Sequence, residues 1–246
     1  MTIDANANIG QTIFDDFEFE PTLEALRATM NNAGIDEAVV APLKPDAPNF
    51  DAANARLAAR TADESRFHGI ARVNPLAKES VDNAKIALDK YGLKGLKLHP
   101  WEEQYSVTHR SIEPILEVAD GHDVPVWIYA GYPNVSHALS IREVAEAFPS
   151  IPFVLTHTSQ LDISGRSGTD ALLLARESEN TYFELSGVYR RDLIEHLVEA
   201  VGPERVLFGT NAPYFHPAVE KSRVTGAELD DEVKRALLDE SVRRLL

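Results

Sequence analysis

Short apolar runs alternate with longer amphipathic stretches along the whole chain. Runs at residues 2–5, 37–41, 67–73, 95–98, 124–129, 153–156, 182–185 and 206–208 predict strands. Stretches at 22–33, 50–63, 80–91, 112–121, 141–148, 170–177, 192–201 and 231–246 predict helices. Glycines soon after Asn32, Tyr91 and Val201 mark helix ends. Eight strands, each followed by a helix, predict an α/β fold of the closed (β/α)8 TIM-barrel type. No linker, low-complexity segment or break in composition divides the chain, so one barrel domain over residues 1–246 is expected.

Composition narrows the function classes. Hydrophobic residues make up 44% of the chain, enough for a full core. No run approaches the roughly 18 apolar residues of a membrane span. The N-terminal residues lack the basic and apolar regions of a signal peptide, and there is no cysteine for a disulfide or a thiolate metal site. A cytoplasmic protein without membrane partners is expected. The net charge of −15, from 39 acidic and 24 basic residues, argues against a nucleic-acid partner, which needs a basic footprint. A small-molecule partner remains, and a homo-oligomer is compatible with such a barrel. There is no phosphate loop, nucleophile elbow or dinucleotide fingerprint.

In barrels of this type, chemistry sits at the C-terminal ends of the strands and in the loops that follow. The predicted strands place there Asn6 and Asn8, then Lys44, then Asn74, then Lys97, His99, Trp101, Glu102 and Glu103. Tyr129 follows at the fifth strand, His157 at the sixth, Ser186 at the seventh and Asn211 at the eighth. Asn6 and Asn8, at i and i+2 of an extended segment, share a side, as do Lys97 and His99.

The stretches IDANANIG at the start, GLKGLKLHP in the middle, PFVLTH, RVLFGTNAP and the final RRLL stand in an order that resembles the amidohydrolase-related family. That family comprises barrel hydrolases and decarboxylases, and the resemblance covers nearly the whole chain. It implies a metal-dependent enzyme whose ligands are a His-x-His pair after strand one, a His after strand five, a His after strand six and an Asp after strand eight. The matching positions here are Asn6 and Asn8, Tyr129, His157 and Asn211, of which only His157 keeps the ligand type. The resemblance leads to zinc or a similar divalent ion. The residues lead elsewhere, because neutral carboxamides are weak ligands and one imidazole does not hold a hydrolytic ion. No metal cofactor is therefore expected.

A hydrogen-bonding pocket takes the metal's place in this reading. His157 serves as general acid or base, Lys97 binds a substrate carboxylate, and the Asn side chains offer oxyanion donors; Tyr129 and Asn211 complete the catalytic set. Asn6, Asn8, His99, Trp101, Glu102, His137 and Gln160 are the candidate substrate contacts. A Schiff base on Lys97 is conceivable, and His137, Gln160 and Asp162, or His99, Glu102, His137 and His157, are alternatives for a relocated metal site. Plainer roles stand beside each of these: a packed histidine at 157, asparagines capping their own loop, Lys97 paired with Asp4 or Glu184, and Tyr129 as an ordinary strand aromatic. Two functions follow. One is a hydrolase or decarboxylase-like lyase acting on a small acyl or carboxylated substrate; the other is an inactive barrel that binds a small molecule or partner.

Overall fold

The computed structural model describes residues 1–10, 21–45, 49–160 and 165–246. Its strands are β1 (Ile3–Ile9), β2 (Glu37–Pro42), β3 (Phe67–Gly69), β4 (Ala71–Arg72), β5 (Leu96–Leu98), β6 (Val126–Ile128), β7 (Phe153–Leu155), β8 (Thr181–Glu184) and β9 (Val206–Leu207). The strands form two parallel ladders, β1–β2–β3 and β4–β5–β6–β7–β8–β9, each strand pairing with the next within its ladder. β3 and β4 are halves of one barrel strand. At their junction Ile70 N donates to Val40 O at 2.9 Å and Ala71 N to Gly95 O at 2.8 Å, so pairing passes from β2 to β5 without a gap. Closure comes from Ala5 N on Phe208 O at 2.9 Å and Asn8 N on Ala212 O at 2.8 Å. The predicted (β/α)8 barrel is thus observed.

Around it run α1 (Leu23–Ala33), α2 (Phe50–Thr61), α3 (Ser80–Asp89), α4 (Pro100–Glu103), α5 (Glu113–Gly121), α6 (Ala138–Ala147), α7 (Gly165–Glu177), α8 (Arg191–Val201), α9 (Pro217–Thr225), and a C-terminal run from α10 (Asp231–Arg235) to α11 (Ser241–Arg243). Local chemistry sets their ends: Thr22 caps α1 by accepting from Ala25 N at 3.1 Å, and Gly34 closes it at φ +63°. Two helices escaped the periodicity. α4 has four residues, too few to show a period, and α9 buries only Pro217, Glu220 and Val224. Among the described residues no helix is long and apolar enough to cross a membrane.

The first strand differs from expectation in a way that matters for the site. It continues to Ile9 instead of ending at Ala5, with a register shift against β2 between Asp4 and Ala7, so both asparagines belong to the strand itself. Inside the barrel, Ile3, Ala5, Val39, Ala41, Ile70, Trp127, Val154 and Leu207 form an apolar floor. Trp127 is fully buried and satisfies its indole by donating Nε1 to Ala5 O at 2.9 Å. Gly95 makes room for it, since a Cβ there would meet the Trp127 ring at 2.9 Å.

Candidate functional site

At the strand ends the interior turns polar. Lys97, on β5, is 1% exposed and donates Nζ to Asn6 Oδ1 at 3.0 Å and Asn8 Oδ1 at 2.7 Å. It pairs with neither Asp4 nor Glu184. The amide groups of the two asparagines are already engaged. Asn6 Nδ2 donates to Glu184 Oε2 at 3.1 Å, and Asn8 Nδ2 to Asn211 Oδ1 at 3.1 Å and Ala212 O at 3.0 Å. Both carboxamides therefore turn their oxygens, not their hydrogens, toward Lys97. Burial, with the Arg72 charge adding to it, pushes the Lys97 amine down to about 7.

Glu184 is the hub of this arrangement. Fully buried, it accepts from Asn6 Nδ2, from His157 N at 3.2 Å, and from Ser186 through N at 2.6 Å and Oγ at 2.8 Å. Burial raises its carboxyl to about 8 despite those donors. Gly209 is its necessary neighbour, because a Cβ there would lie 2.1 Å from Glu184 Oε1. Asp4, also buried, accepts from the backbone of Asn6 and Thr210 at 2.9 Å each and is raised by burial to about 6.

His157 follows β7 in a left-handed turn. His157, Thr158 and Ser159 have φ of +56°, +50° and +58°, and Asn211, after β9, has +49°. Non-glycine residues seldom adopt such angles, and strained positions gather where geometry serves a function. His157 Nδ1 donates to Ser186 O at 2.9 Å, which leaves a lone pair on Nε2, a buried atom without a partner among the described residues. Burial lowers the imidazole to about 4, so it is uncharged at neutral pH. Tyr129 stands edge-on to it, ring centroids 4.7 Å apart. Burial raises the Tyr129 phenol far above its usual range, keeping its proton on.

An aromatic column leads outward from this centre. His99 stacks on Tyr129 at 3.9 Å, Tyr132 lies 6.0 Å from Tyr129, and Trp101, 54% exposed, stacks on Tyr132 at 4.4 Å. His99 also caps α4, its Nδ1 accepting from Glu102 N at 3.2 Å. Glu102 pairs with Arg72 and lies 3.7 Å from His99 Nε2, while Lys44 donates to its backbone oxygen. Arg72, missed in the sequence, is buried and also donates Nε to Glu103 at 3.1 Å. A charged residue inside an otherwise apolar strand run was the available signal for both Arg72 and Glu184.

The remaining candidates lie elsewhere. His137 caps α6, with Nε2 3.1 Å from Asp170 Oδ2 of α7. Gln160 lies against Gly168 of α7, both its amide atoms buried without a partner among the described residues. Asn74 caps its own turn through Leu76 N at 3.0 Å, and Asp162 lies outside the described residues. Among the described residues no three His, Cys, Asp or Glu side chains gather as metal ligands, which removes the relocated set of His99, Glu102, His137 and His157.

Solved structures share this fold. An uncharacterised TIM-barrel protein from Bordetella bronchiseptica matches with a TM-score of 0.79 at 20% identity, over 99% of this chain and 97% of that one. A dihydroxybenzoic acid decarboxylase from Polaromonas, with bound manganese and the inhibitor 2-nitroresorcinol, matches with a TM-score of 0.74 at 14% identity over 99% and 96%. A 5-carboxyvanillate decarboxylase from Novosphingobium aromaticivorans, also with bound manganese, matches with a TM-score of 0.74 at 15% identity over 100% and 96%. None of the curated proteins matches the chain by sequence.

These structures correct the expectation of no metal cofactor: two neighbours hold manganese, so the comparisons point to a divalent ion and not to its absence. In favour of such an ion stands the unpartnered His157 Nε2, and carbonyl oxygens suit manganese better than zinc. Against it stands Lys97, whose amine already holds both asparagine oxygens. As these residues stand, with the Lys97 amine on both carboxamide oxygens, they do not fit a divalent ion. The amidohydrolase family model matches residues 9–246, from the last residue of β1 to the C-terminus, and the chain belongs to the amidohydrolase family.

Proposed function

We propose that the barrel mouth is the active site of a hydrolase or decarboxylase-like lyase acting on a small acyl or carboxylated substrate. The observation that supports this most is the hydrogen-bonded run Lys97–Asn8–Asn211 at the strand ends, with His157 edge-on to Tyr129 at the same rim. Lys97 supplies the group that binds substrate, and Asn6 and Asn8 aim it. His157, neutral and with a free Nε2 lone pair, accepts the proton; Tyr129 and Asn211 offer a hydrogen bond to the reacting oxygen. His99, Trp101 and Glu102 shape the entrance. Among the fold neighbours are decarboxylases of aromatic acids, which makes aromatic carboxylates the class to try first.

The second reading, a barrel that binds without catalysis, has one observation in its favour: Asn6, Asn8, Lys97, His157 and Asn211 are all 4% exposed or less. A panel of aromatic and aliphatic carboxylates and lactones, assayed for carbon dioxide release and ring opening, separates the two. Turnover that His157→Asn abolishes is expected. Full activity in that variant would remove the role of His157, and saturable binding with no turnover across the panel would favour the second reading.

A further inference from the structure

A cavity of about 480 Å3 lies between α1 and the segment that joins β9 to α9. Ala25 and Leu26 line it from α1, Ala212, Pro213 and Phe215 from the joining segment, and Asn8 from the end of β1. Two of these side chains also belong to the barrel mouth. Asn8 is hydrogen-bonded to Lys97 and Asn211, and Phe215 stands edge-on to His157 with ring centroids 6.0 Å apart. The cavity therefore borders the site directly. Among the described residues no Asp, Glu, Lys or Arg lines it, and its walls are mostly apolar. Such walls favour a hydrocarbon group and oppose a charged one, which would lose its hydration without gaining a partner. The protein holds these walls in place by itself. Asn8 donates N and Nδ2 to Ala212 O at 2.8 and 3.0 Å, joining β1 to the segment after β9. Gly187 N donates to Glu220 Oε2 at 2.8 Å, tying α9 to the turn after β8. Gly187, at φ +68°, also leaves Phe215 its place, since a Cβ there would lie 2.8 Å from the ring. Preformed apolar cavities with a few polar groups at one end are the usual form of small-molecule sites.

We propose that this cavity is the subsite for the hydrocarbon part of the substrate, a chain or ring of a few carbons whose carboxyl or acyl group faces Asn8 and His157. The inference rests on the reading of the mouth as an active site and narrows its substrate class to small amphiphilic acids and their acyl derivatives. Ala25 and Leu26 limit the length of the group that fits. Phe215 lies between the cavity and His157, so it sets the distance from the hydrocarbon group to the imidazole. Dicarboxylates of the same length are rejected, because their second charge would rest against apolar walls.

The test is calorimetry on the full chain with acetate, butyrate, hexanoate, benzoate and adipate. From acetate to hexanoate the affinity should rise about fourfold for each methylene buried. Adipate, the length of hexanoate with a charge at each end, should bind at least about tenfold more weakly than hexanoate. Ala25→Phe fills the cavity from a half-buried position and keeps the backbone bond to Thr22; it should cancel the gain with chain length. A second readout needs no variant: with labelled leucine methyls, hexanoate should shift Leu26 and leave Leu173 of α7 in place. Benzoate binding tighter than hexanoate assigns the cavity to a ring, and the reverse assigns it to a chain. No binding, affinity independent of chain length, adipate equal to hexanoate, or an unmoved Leu26 overturns the proposal. Turnover of acids without dependence on chain length would remove the subsite and leave the active-site reading. Chain-length-dependent binding that shifts Leu26, with no turnover of any acid, would keep the cavity as a binding site and remove the hydrolase or lyase reading.

Discussion

Arg72 and Lys97 are register partners on adjacent strands, β4 and β5, and are exposed by only 2% and 1%. Their surroundings differ in one respect. Arg72 meets the carboxylates of Glu102 and Glu103, whereas Lys97 meets the carboxamides of Asn6 and Asn8. Burial weighs against the charge of both. For Arg72 the two carboxylates outweigh it, and its pKa is raised; for Lys97 nothing of equal strength does, and its pKa falls to about 7. The same barrel layer thus holds one cation tied to carboxylates and one amine held by carboxamides. What separates them is the charge of the acceptors, together with the Arg72 charge that bears on Lys97, since burial is equal.

The largest effect that tests this contrast is on stability. Arg72→Met leaves Glu103 buried without its cation and should cost about 3–5 kcal/mol in urea unfolding. Lys97→Met strands two buried carboxamide oxygens but also relieves a buried amine, and should cost less, about 1–3 kcal/mol. Equal costs would break the comparison.

A smaller effect is set by pH. The Glu184 carboxyl is at about 8 in the folded chain against its ordinary 4.5, so between those values the folded state holds a proton that the unfolded state has lost. Its contribution is full below 4.5 and is lost as pH rises through 8. Asp4, raised to about 6, acts in the same sense at lower pH. Lys97, lowered to about 7 from 10.5, and His157, lowered to about 4 from 6.5, oppose them: each makes stability rise with pH between its two values. Unfolding curves of wild type and Glu184→Gln should therefore converge or cross as pH goes from 5 to 8, the difference changing by about 2–4 kcal/mol. Parallel pH profiles would show that Glu184 is ionised throughout.

The smallest effect concerns cation exchange. Removing the amine with Lys97→Ala vacates the Asn6 and Asn8 oxygens, and manganese affinity by calorimetry should rise about tenfold or more, a change on the order of 1.4 kcal/mol. Unchanged affinity would mean that manganese, if bound at all, takes other atoms.

Much of the molecule was legible before the structure. The alternation of apolar runs and helical periods determined the barrel and its strand order, because a closed parallel sheet between helices is the arrangement that buries such runs on both faces. Strand ends then named Asn6, Asn8, Lys97, Tyr129, His157 and Asn211 as neighbours, since a parallel barrel delivers all its C-terminal ends to one rim. Only the tertiary structure decided what these residues do to one another. Which way each carboxamide turns depends on Glu184 and Asn211, 178 and 203 residues away in sequence. That His137 caps α6, that Gln160 lies against α7, and that Arg72 holds the segment after β5 likewise depend on distant partners. Hydrophobic periodicity is local and survives in one dimension; hydrogen-bond direction and burial of charge are properties of pairs, and pairs are made by the fold.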